Sequence, residues 1–286
     1  MPTNVRSLTP RLRAGLDLPR TYISSLADAG TSRHLFDDLQ AYCMFVGYAR
    51  SGHSLLGSLL DAHPNAVIAH ELDALRYFRL GFTKKQVYSL ILENARLFAA
   101  GGCRAKVDYN YAVPNQYQGR YERLQVIGDK KGGRTTRRLA DRPALLERVR
   151  RVVAIPLRII HVVRNPYDNI ATMHHRTGQG RPLDEKVAYY FSLCATIARL
   201  KQRLEPDEVI DLRHEELVAD PESSLARVGA FLGLEMSADY VRDCSSLLFT
   251  SPSRTRDRAP WTNALQAQVD REIRRYEFLE GYSFEG

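Results

Sequence analysis

The segment GYARSGHSLL, residues 47–56, has the residue spacing of a phosphate-binding loop. Gly47, Gly52 and Ser54 match the pattern G-x-x-x-x-G-K-[S/T], but His53 stands where the pattern has lysine. An apolar run precedes the segment and a helical pattern follows it. Backbone N–H groups and the helix dipole would therefore converge on one point, which suits phosphate-like oxygens. We predict an anion site here, with Ser54 either capping the helix or bonding to an anion oxygen.

The missing lysine argues against a nucleoside triphosphate as the ligand of this loop. In such sites the lysine reaches the β- and γ-phosphates, and the Ser/Thr holds magnesium. Here the fixed cation is Arg50, inside the loop, and the sequence shows no obvious acidic strand end to complete a magnesium site. The loop suits an anion that ends closer to it than a γ-phosphate would.

A second candidate anion site lies further along the chain. Arg164 ends an apolar run and precedes a helical pattern that starts near Tyr167, so its guanidinium can present two N–H groups to a terminal phosphate. Thr172 lies about a turn and a half into that helix and can add a hydroxyl.

The elements that must position these residues alternate between strands and helices. We predict a central, mostly parallel sheet flanked by helices, an α/β fold with ligands at the carboxyl ends of the strands. The predicted strands are 42–46, 66–69, 124–127, 158–163 and 209–212, and the predicted helices are 54–62, 84–99, 135–149, 184–204, 221–232 and 263–279. Residues 1–40 are expected to be an N-terminal arm and residues 41–286 a single domain.

The composition favours a globular protein with an anionic partner. Lys and Arg number 41 against 33 Asp and Glu, a net charge of +8, although the excess is too diffuse to identify the partner.

The N-terminal segment has no continuous apolar stretch, so we expect no membrane span and a cytoplasmic chain, with a cleaved organelle presequence left open. Four cysteines at 43, 103, 194 and 244 show no C-x-x-C spacing, so neither a zinc site nor a redox pair is expected.

Three stretches resemble the sulfotransferases that use 3′-phosphoadenosine-5′-phosphosulfate (PAPS). Residues 49–56 resemble the family's motif [PRK]-[KR]-S-G-[ST]-[ST]-L-L, with His53 as the departure. The stretch IIHVVRNPYDNIATM resembles its R-[ND]-P-x-D motif, with Thr172 where the family has serine. Residues 212–235 look like a third segment, with His214 in place of tyrosine. The resemblance spans about residues 41–282 in motif order and implies a P-loop-NTPase-like sulfotransferase fold.

This resemblance implies PAPS as sulfuryl donor, PAP as product and no metal. The first motif would hold the 5′-phosphosulfate, while Arg164 and Thr172 would hold the 3′-phosphate. A basic C-terminal segment often closes over the nucleotide in this family, which makes Arg254 and Arg256 weaker candidates. The loop residues implied are Arg50, Ser51, Gly52, His53, Ser54 and Leu55.

The resemblance also implies catalytic residues. Glu71, after the second strand, matches the base of the tyrosylprotein and glycan sulfotransferases, and its neighbour His70 competes for that role. The stretch VIGDKKGG resembles G-D-K-[TS]-P, with Lys130 as the matching lysine and the next two residues departing. Lys130 and Arg50 would stabilise the group in transfer.

The acceptor is left open. A hydroxyl on a small metabolite, lipid or sugar is favoured, with a peptide tyrosine as the alternative. Four tyrosines could line its platform or simply pack a half-buried loop: Tyr109, Tyr111, Tyr117 and Tyr121. Trp261 is expected to pack rather than stack on adenine. Two rival functions remain, a P-loop kinase and a basic nucleic-acid binder, although no nucleic acid partner is expected. A homodimer stays open.

Overall fold

The computed structural model describes residues 21–22, 25, 34–104, 109–176, 182–249 and 251–286. Five strands form one sheet in the order β2-β3-β1-β4-β5, and all four neighbouring pairs run parallel. The α/β fold with a parallel sheet, predicted from the sequence, is thereby confirmed. The strands are β1 Ala41–Val46, β2 Ala66–His70, β3 Val126–Lys130, β4 Leu157–Val163 and β5 Val209–Arg213.

The sheet is covered on both faces, which is why its central strands read as unbroken apolar runs. In β1, Tyr42 and Met44 belong to one apolar cluster, whereas Cys43 and Phe45 belong to the cluster on the opposite face. All six residues of β1 are buried. Side chains that alternate across a strand therefore anchor two separate layers of helices.

The observed helices differ from the predicted ones mainly at a proline and near the C-terminal end of the chain. The helix predicted over 135–149 is two helices, because Pro143 lies between them and cannot continue the backbone hydrogen bonds. The helix predicted over 263–279 ends at Ile273, and the third strand lies further along the chain than predicted. The α-helices are His53–Asp61, Ala74–Arg79, Lys84–Ala100, Gly133–Asp141, Leu145–Val153, Pro166–Arg176, Leu183–Lys201, His214–Ala219, Pro221–Leu232, Ala238–Ser245 and Asn263–Ile273.

The strand order places the candidate residues together. β1 pairs with β3 on one side and β4 on the other, so the chain leaves the carboxyl end of β1 at the point where the order reverses. Loops at such a point leave a crevice for ligands. The loop after β1, Glu71 after β2, Lys130 at the end of β3 and Arg164 after β4 all lie at this edge.

The arm predicted over residues 1–40 lies largely outside the described residues. Its described part contacts the domain through Gln86, whose amide Nε2 donates to Tyr22 O at 3.3 Å and to Ser25 Oγ at 3.2 Å. Among the described helices, none combines the length and apolar character needed to cross a membrane.

Candidate active site

The loop after β1 is fixed from two sides by neighbouring helices. The Thr136 hydroxyl accepts the Gly47 N–H at 2.9 Å and donates to Gly47 O at 3.0 Å. The Asn169 amide donates to Ala49 O at 2.9 Å. Arg50 has a φ of 71° and Gly52 a φ of 97°, so the turn needs left-handed backbone at both positions. The loop conformation is thus set by the fold before any ligand is present.

The helix that follows begins at His53 with Gly52 as the preceding residue, so Ser54 does not cap it. Ser54 Oγ instead accepts a hydrogen bond from Lys130 Nζ at 2.9 Å. The side chain of Leu55 is buried and its N–H donates to Gly52 O at 3.0 Å. Neither group of Leu55 is therefore available to bind a ligand at the loop. The first backbone N–H groups of a helix have no acceptor within the helix. At the start of this helix, the N–H groups of His53 and Ser54 can bind an anion.

Gly52 allows a second element to approach the loop closely. A Cβ at this position would lie 2.5 Å from Nδ1 of His214, which begins the helix after β5. His214 is half-buried, its Nδ1 is inaccessible and has no hydrogen-bond partner, and burial together with Arg164 lowers its pKa to about 4. A neutral ring therefore lies directly against the turn.

His53 is held inside the site rather than presented to solvent. Its Nδ1 lies 3.1 Å from Ser51 Oγ, and its side chain is buried. Burial and the charge of Lys130 lower its pKa to about 3, so the ring is neutral at physiological pH. His53 therefore supplies no cation in place of the missing lysine.

Glu71 joins two lysines at the ends of β2 and β3. Lys130 Nζ donates to Glu71 Oε1 at 2.8 Å, and Lys131 Nζ pairs with Oε2. Burial alone would raise the pKa of Glu71, but Lys130 and Lys131 outweigh it and lower the pKa to about 2. Glu71 also has a φ of 65°, unusual for a residue with a side chain. The carboxylate is thus ionised, half-exposed and directed at the start of the loop helix.

Lys130 is almost completely buried, with 1% of its side chain exposed. Its stem crosses the loop helix at Gly57, where a Cβ would lie 2.7 Å from Lys130 Cγ. Burial lowers its pKa, while Glu71 opposes that change. The absence of a side chain at position 57 lets the ammonium reach Ser54.

His70, the competing candidate for the base, lies beside this cluster. Its ring stacks on Phe98 with centroids 3.9 Å apart and planes at 4°. Burial, followed by the charge of Lys130, lowers its pKa to about 3. The pKa of Glu71, about 2, is no higher, so basicity in this state does not separate the two candidates. They differ in their contacts: the His70 ring is stacked on Phe98, whereas the Glu71 carboxylate bonds to Lys130.

Arg164 and Thr172 are neighbours, as their sequence positions suggested. Arg164 Nη1 donates to Thr172 Oγ1 at 3.2 Å and to Arg50 O at 3.3 Å. Its Nη2 donates to Ser253 O at 2.8 Å, and its Nε has no partner. The guanidinium is buried, yet no carboxylate of the described chain lies within 4.0 Å of it. A buried cation without a paired anion is costly and is compatible with an anionic ligand.

The two arginines of the C-terminal segment have other contacts. Arg256 Nη2 pairs with Asp168 Oδ2 at 2.6 Å, and its Nη1 donates to the carbonyls of Ser283 and Phe284. Arg254 is exposed and donates to Glu285 O at 2.9 Å. Neither presents a free guanidinium to the loop, so their predicted phosphate contacts would require rearrangement of these bonds.

One acidic strand residue was overlooked in the sequence. Asp129 lies in β3 and is buried, but its oxygens accept the N–H groups of Leu72 at 3.1 Å and Ala74 at 2.7 Å. Burial raises its pKa to about 7. Asp129 thereby fixes the turn that carries Glu71. No group of three His, Cys, Asp or Glu side chains in the described residues could hold a metal ion.

The four tyrosines of the predicted platform separate into two pairs. Tyr109 and Tyr111 stack on each other with centroids 5.3 Å apart. Tyr117 instead bonds to Glu122, and Tyr121 packs against the core cluster around β1. Tyr111 is near the loop: burial raises its pKa, whereas the loop residues Arg50 and Ser54 lower it.

Trp261 packs edge-on against Tyr167 at 5.1 Å, the packing role expected for it.

Comparison with known proteins identifies the family and the fold of the chain. Residues 44–238 match the family model described as "Sulfotransferase family". No curated protein matches the chain. Sulfotransferase STF9 from Mycobacterium avium has a TM-score of 0.52 at 13% identity, over 88% of this chain and 81% of that one. The sulfotransferase domain from the curacin biosynthetic pathway has a TM-score of 0.51 at 18% identity, over 84% of this chain and 99% of that one. These two structures share the fold.

Proposed function

The chain belongs to the sulfotransferase family and is a sulfuryl transferase, and we propose that it uses PAPS as donor, an acceptor hydroxyl as nucleophile and Glu71 as general base. One observation carries this proposal. Lys130 Nζ bonds both to Ser54, at the start of the loop helix, and to Glu71. A helix N-terminus, a cation and a carboxylate thus meet within one hydrogen-bonded group, and these three features supply anion binding, charge stabilisation and a base for sulfuryl transfer to a hydroxyl.

PAPS, as substrate, supplies the sulfuryl group: the acceptor oxygen bonds to sulfur while the bond from sulfur to the 5′-phosphate breaks and leaves its electron pair on PAP. The N–H groups of His53 and Ser54 would bind the 5′-phosphosulfate end. Arg164 and Thr172 would bind the 3′-phosphate, which supplies the anion that the buried guanidinium lacks. Arg256 would position this site by holding Asp168 and the C-terminal carbonyls.

Glu71 would accept the proton of the acceptor hydroxyl. In its lysine-paired state its pKa of about 2 makes it a weak base. When Lys130 directs its ammonium to an oxygen of the donor, Glu71 loses part of that stabilisation and its basicity rises. Lys130 and Arg50 would stabilise the charge that develops on the transferring group and on the departing phosphate.

The acceptor of this reaction is a hydroxyl-bearing small metabolite, lipid or sugar in our proposal, and a peptide tyrosine is the alternative. Glu71 is 39% exposed along its side chain, so a small or an extended acceptor can reach it.

The donor assignment is tested by thermal shift with PAP, AMP and ATP at two salt concentrations. PAP at one hundred times its Kd should stabilise the protein by about 2.7 kcal/mol, and AMP less because it lacks the 3′-phosphate. Stabilisation by ATP but not PAP would indicate a kinase. Steep salt dependence without preference for PAP would indicate a nucleic-acid binder. No shift with PAP would overturn the proposal.

A further inference from the structure

Five aromatic rings form a continuous row beside the loop, which we call the aromatic row. The stacked pairs are Phe98 with His70 and Tyr111 with Tyr109, at 3.9 and 5.3 Å. His70 and Tyr111 are 6.1 Å apart, and Tyr109 lies 5.7 Å from Phe249. Phe249 is 60% exposed and the other four rings are partly exposed. The row therefore offers ring faces or edges to an incoming molecule, unlike the buried rings of the core.

The row passes beside the proposed base at its second ring, His70. His70 directly precedes Glu71 in the chain. Burial raises the pKa of Tyr111, and Ser54 and Arg50 oppose that rise, which places its hydroxyl close to the loop. Burial likewise raises the pKa of Tyr109, opposed by Arg176 and Arg164. A molecule lying on this row would hold one end within reach of Glu71.

The chemistry of the row favours a neutral or anionic aromatic ligand. Its rings carry no formal charge, because His70 is neutral, and the charges around the row are mostly positive: Arg50, Arg176, Lys130 and Lys131. Ammonium-bearing acceptors would be repelled there. Flat rings pack well against other rings in offset or edge-to-face geometry, and a saturated ring of similar size gains dispersion contact but no quadrupole interaction.

We propose that the aromatic row is the acceptor subsite and that the acceptor is a small phenol or aromatic alcohol. This inference rests on the proposed sulfuryl transfer at Glu71. The acceptor ring packs between the row and solvent, its hydroxyl points to the Glu71 carboxylate, and that carboxylate takes the proton as the oxygen bonds to sulfur.

The test compares two alcohols that share a nucleophile and differ only in the ring. The Kd values of 2-naphthylmethanol and decahydro-2-naphthylmethanol are measured by calorimetric titration. Each alcohol is titrated into the protein without PAP and into the protein loaded with PAP. The naphthyl compound should bind about tenfold more tightly, although its saturated analogue is the more hydrophobic of the two. Phe249→Ala and Tyr111→Leu should each weaken naphthylmethanol binding about fivefold and weaken decahydronaphthylmethanol binding by a smaller factor, because only the naphthyl ring loses the ring–ring interaction.

Tyr117→Leu provides the matched control, since Tyr117 belongs to the same loop but bonds to Glu122 outside the row. Equal binding of the two alcohols would overturn the inference, and so would an equal loss in Tyr117→Leu. Phe249 is exposed, so its alanine variant keeps the test valid if Tyr111→Leu fails to fold. Failure of PAP to bind would count against the donor site instead, because the PAP-free titrations decide the aromatic row independently.

Discussion

The ring of His53 lies against the backbone of Gly132. A Cβ built at Gly132 would come within 2.9 Å of His53 Cε1 and 3.0 Å of Nε2. Both residues depart from the family motifs that the chain resembles, where the loop has Ser/Thr and the β3 segment has T-P. The two departures therefore lie in contact: the His53 ring occupies space that a side chain at position 132 would need.

This contact predicts an energetic coupling between the two positions. Gly132→Ala should destabilise the protein by about 1–3 kcal/mol, because the buried ring is held by Ser51 and cannot move aside. In the His53→Thr background the destabilisation caused by Gly132→Ala should be smaller, because only the backbone strain of alanine at a φ of 43° is left. Urea unfolding of the two single variants and the double variant measures the coupling free energy.

Gly133→Ala is the control for that cycle. Its Cβ would meet no atom closer than 3.5 Å, and its φ is not positive, so stability should be unchanged or slightly raised. A strictly additive double variant would show that the ring and the glycine are independent. Turnover of His53→Thr, measured in parallel, decides whether the imidazole has a catalytic role beyond its packing.

Glu71→Gln should lower turnover by ~10²–10⁴, because an amide cannot accept the hydroxyl proton. PAP affinity should be nearly kept, since Glu71 contacts Lys130 and Lys131 rather than the loop N–H groups. Rapid-quench turnover and PAP titration measure the two effects. His70→Phe retains the ring that stacks on Phe98 and removes the nitrogens. A loss in His70→Phe as large as that in Glu71→Gln would move the base to His70.

Lys131→Thr should shift the acid limb of the turnover profile to higher pH. Lys131 stabilises the charged form of Glu71 and thereby lowers its pKa, so its removal must raise that pKa. Below the raised pKa, Glu71 is protonated and cannot act as a base; above it, the carboxylate is a stronger base than in the parent protein. The pH dependence of kcat measures the change. An unmoved acid limb would show that Lys131 does not act on the catalytic carboxylate.

Arg164 and Arg256 are both buried but should respond differently to substitution. Arg164→Gln should abolish the thermal shift caused by PAP while costing little stability, because no carboxylate loses its partner. Arg256→Gln leaves Asp168 buried without its cation, which should cost about 3–5 kcal/mol. Melting curves with and without PAP separate the two effects. A full PAP shift in Arg164→Gln would refute its phosphate role.

The architecture was accessible from the sequence because the signals are local and periodic. Each strand of the sheet is a short apolar run bounded by turn residues, and the three motifs fall at strand ends. The same local signals fail where two elements share one pattern: the apolar spacing from residue 135 to 149 continues across Pro143, although the backbone turns there.

The contacts within the site could not be read from the sequence, since they join segments far apart in the chain. Ser54 was expected either to cap its helix or to bond to an anion oxygen, and its hydroxyl instead accepts a hydrogen bond from a lysine 76 residues away. Asp129 looked like part of a motif, but only the folded turn shows its oxygens bound to the N–H groups of Leu72 and Ala74. Arg256 was named as a weaker candidate for a phosphate contact, and its partner Asp168 could not be recognised because it lies 88 residues earlier.

The position of Lys130 over Gly57 also bears on how the chain becomes active during folding. Lys130 reaches Ser54 across a separation of 76 residues and Glu71 across 59, and it does so only when β2 and β3 have paired and the loop helix lies against them. No short fragment of the chain contains all three groups. The three groups therefore meet only in a chain whose residues from 54 to 130 have folded against one another.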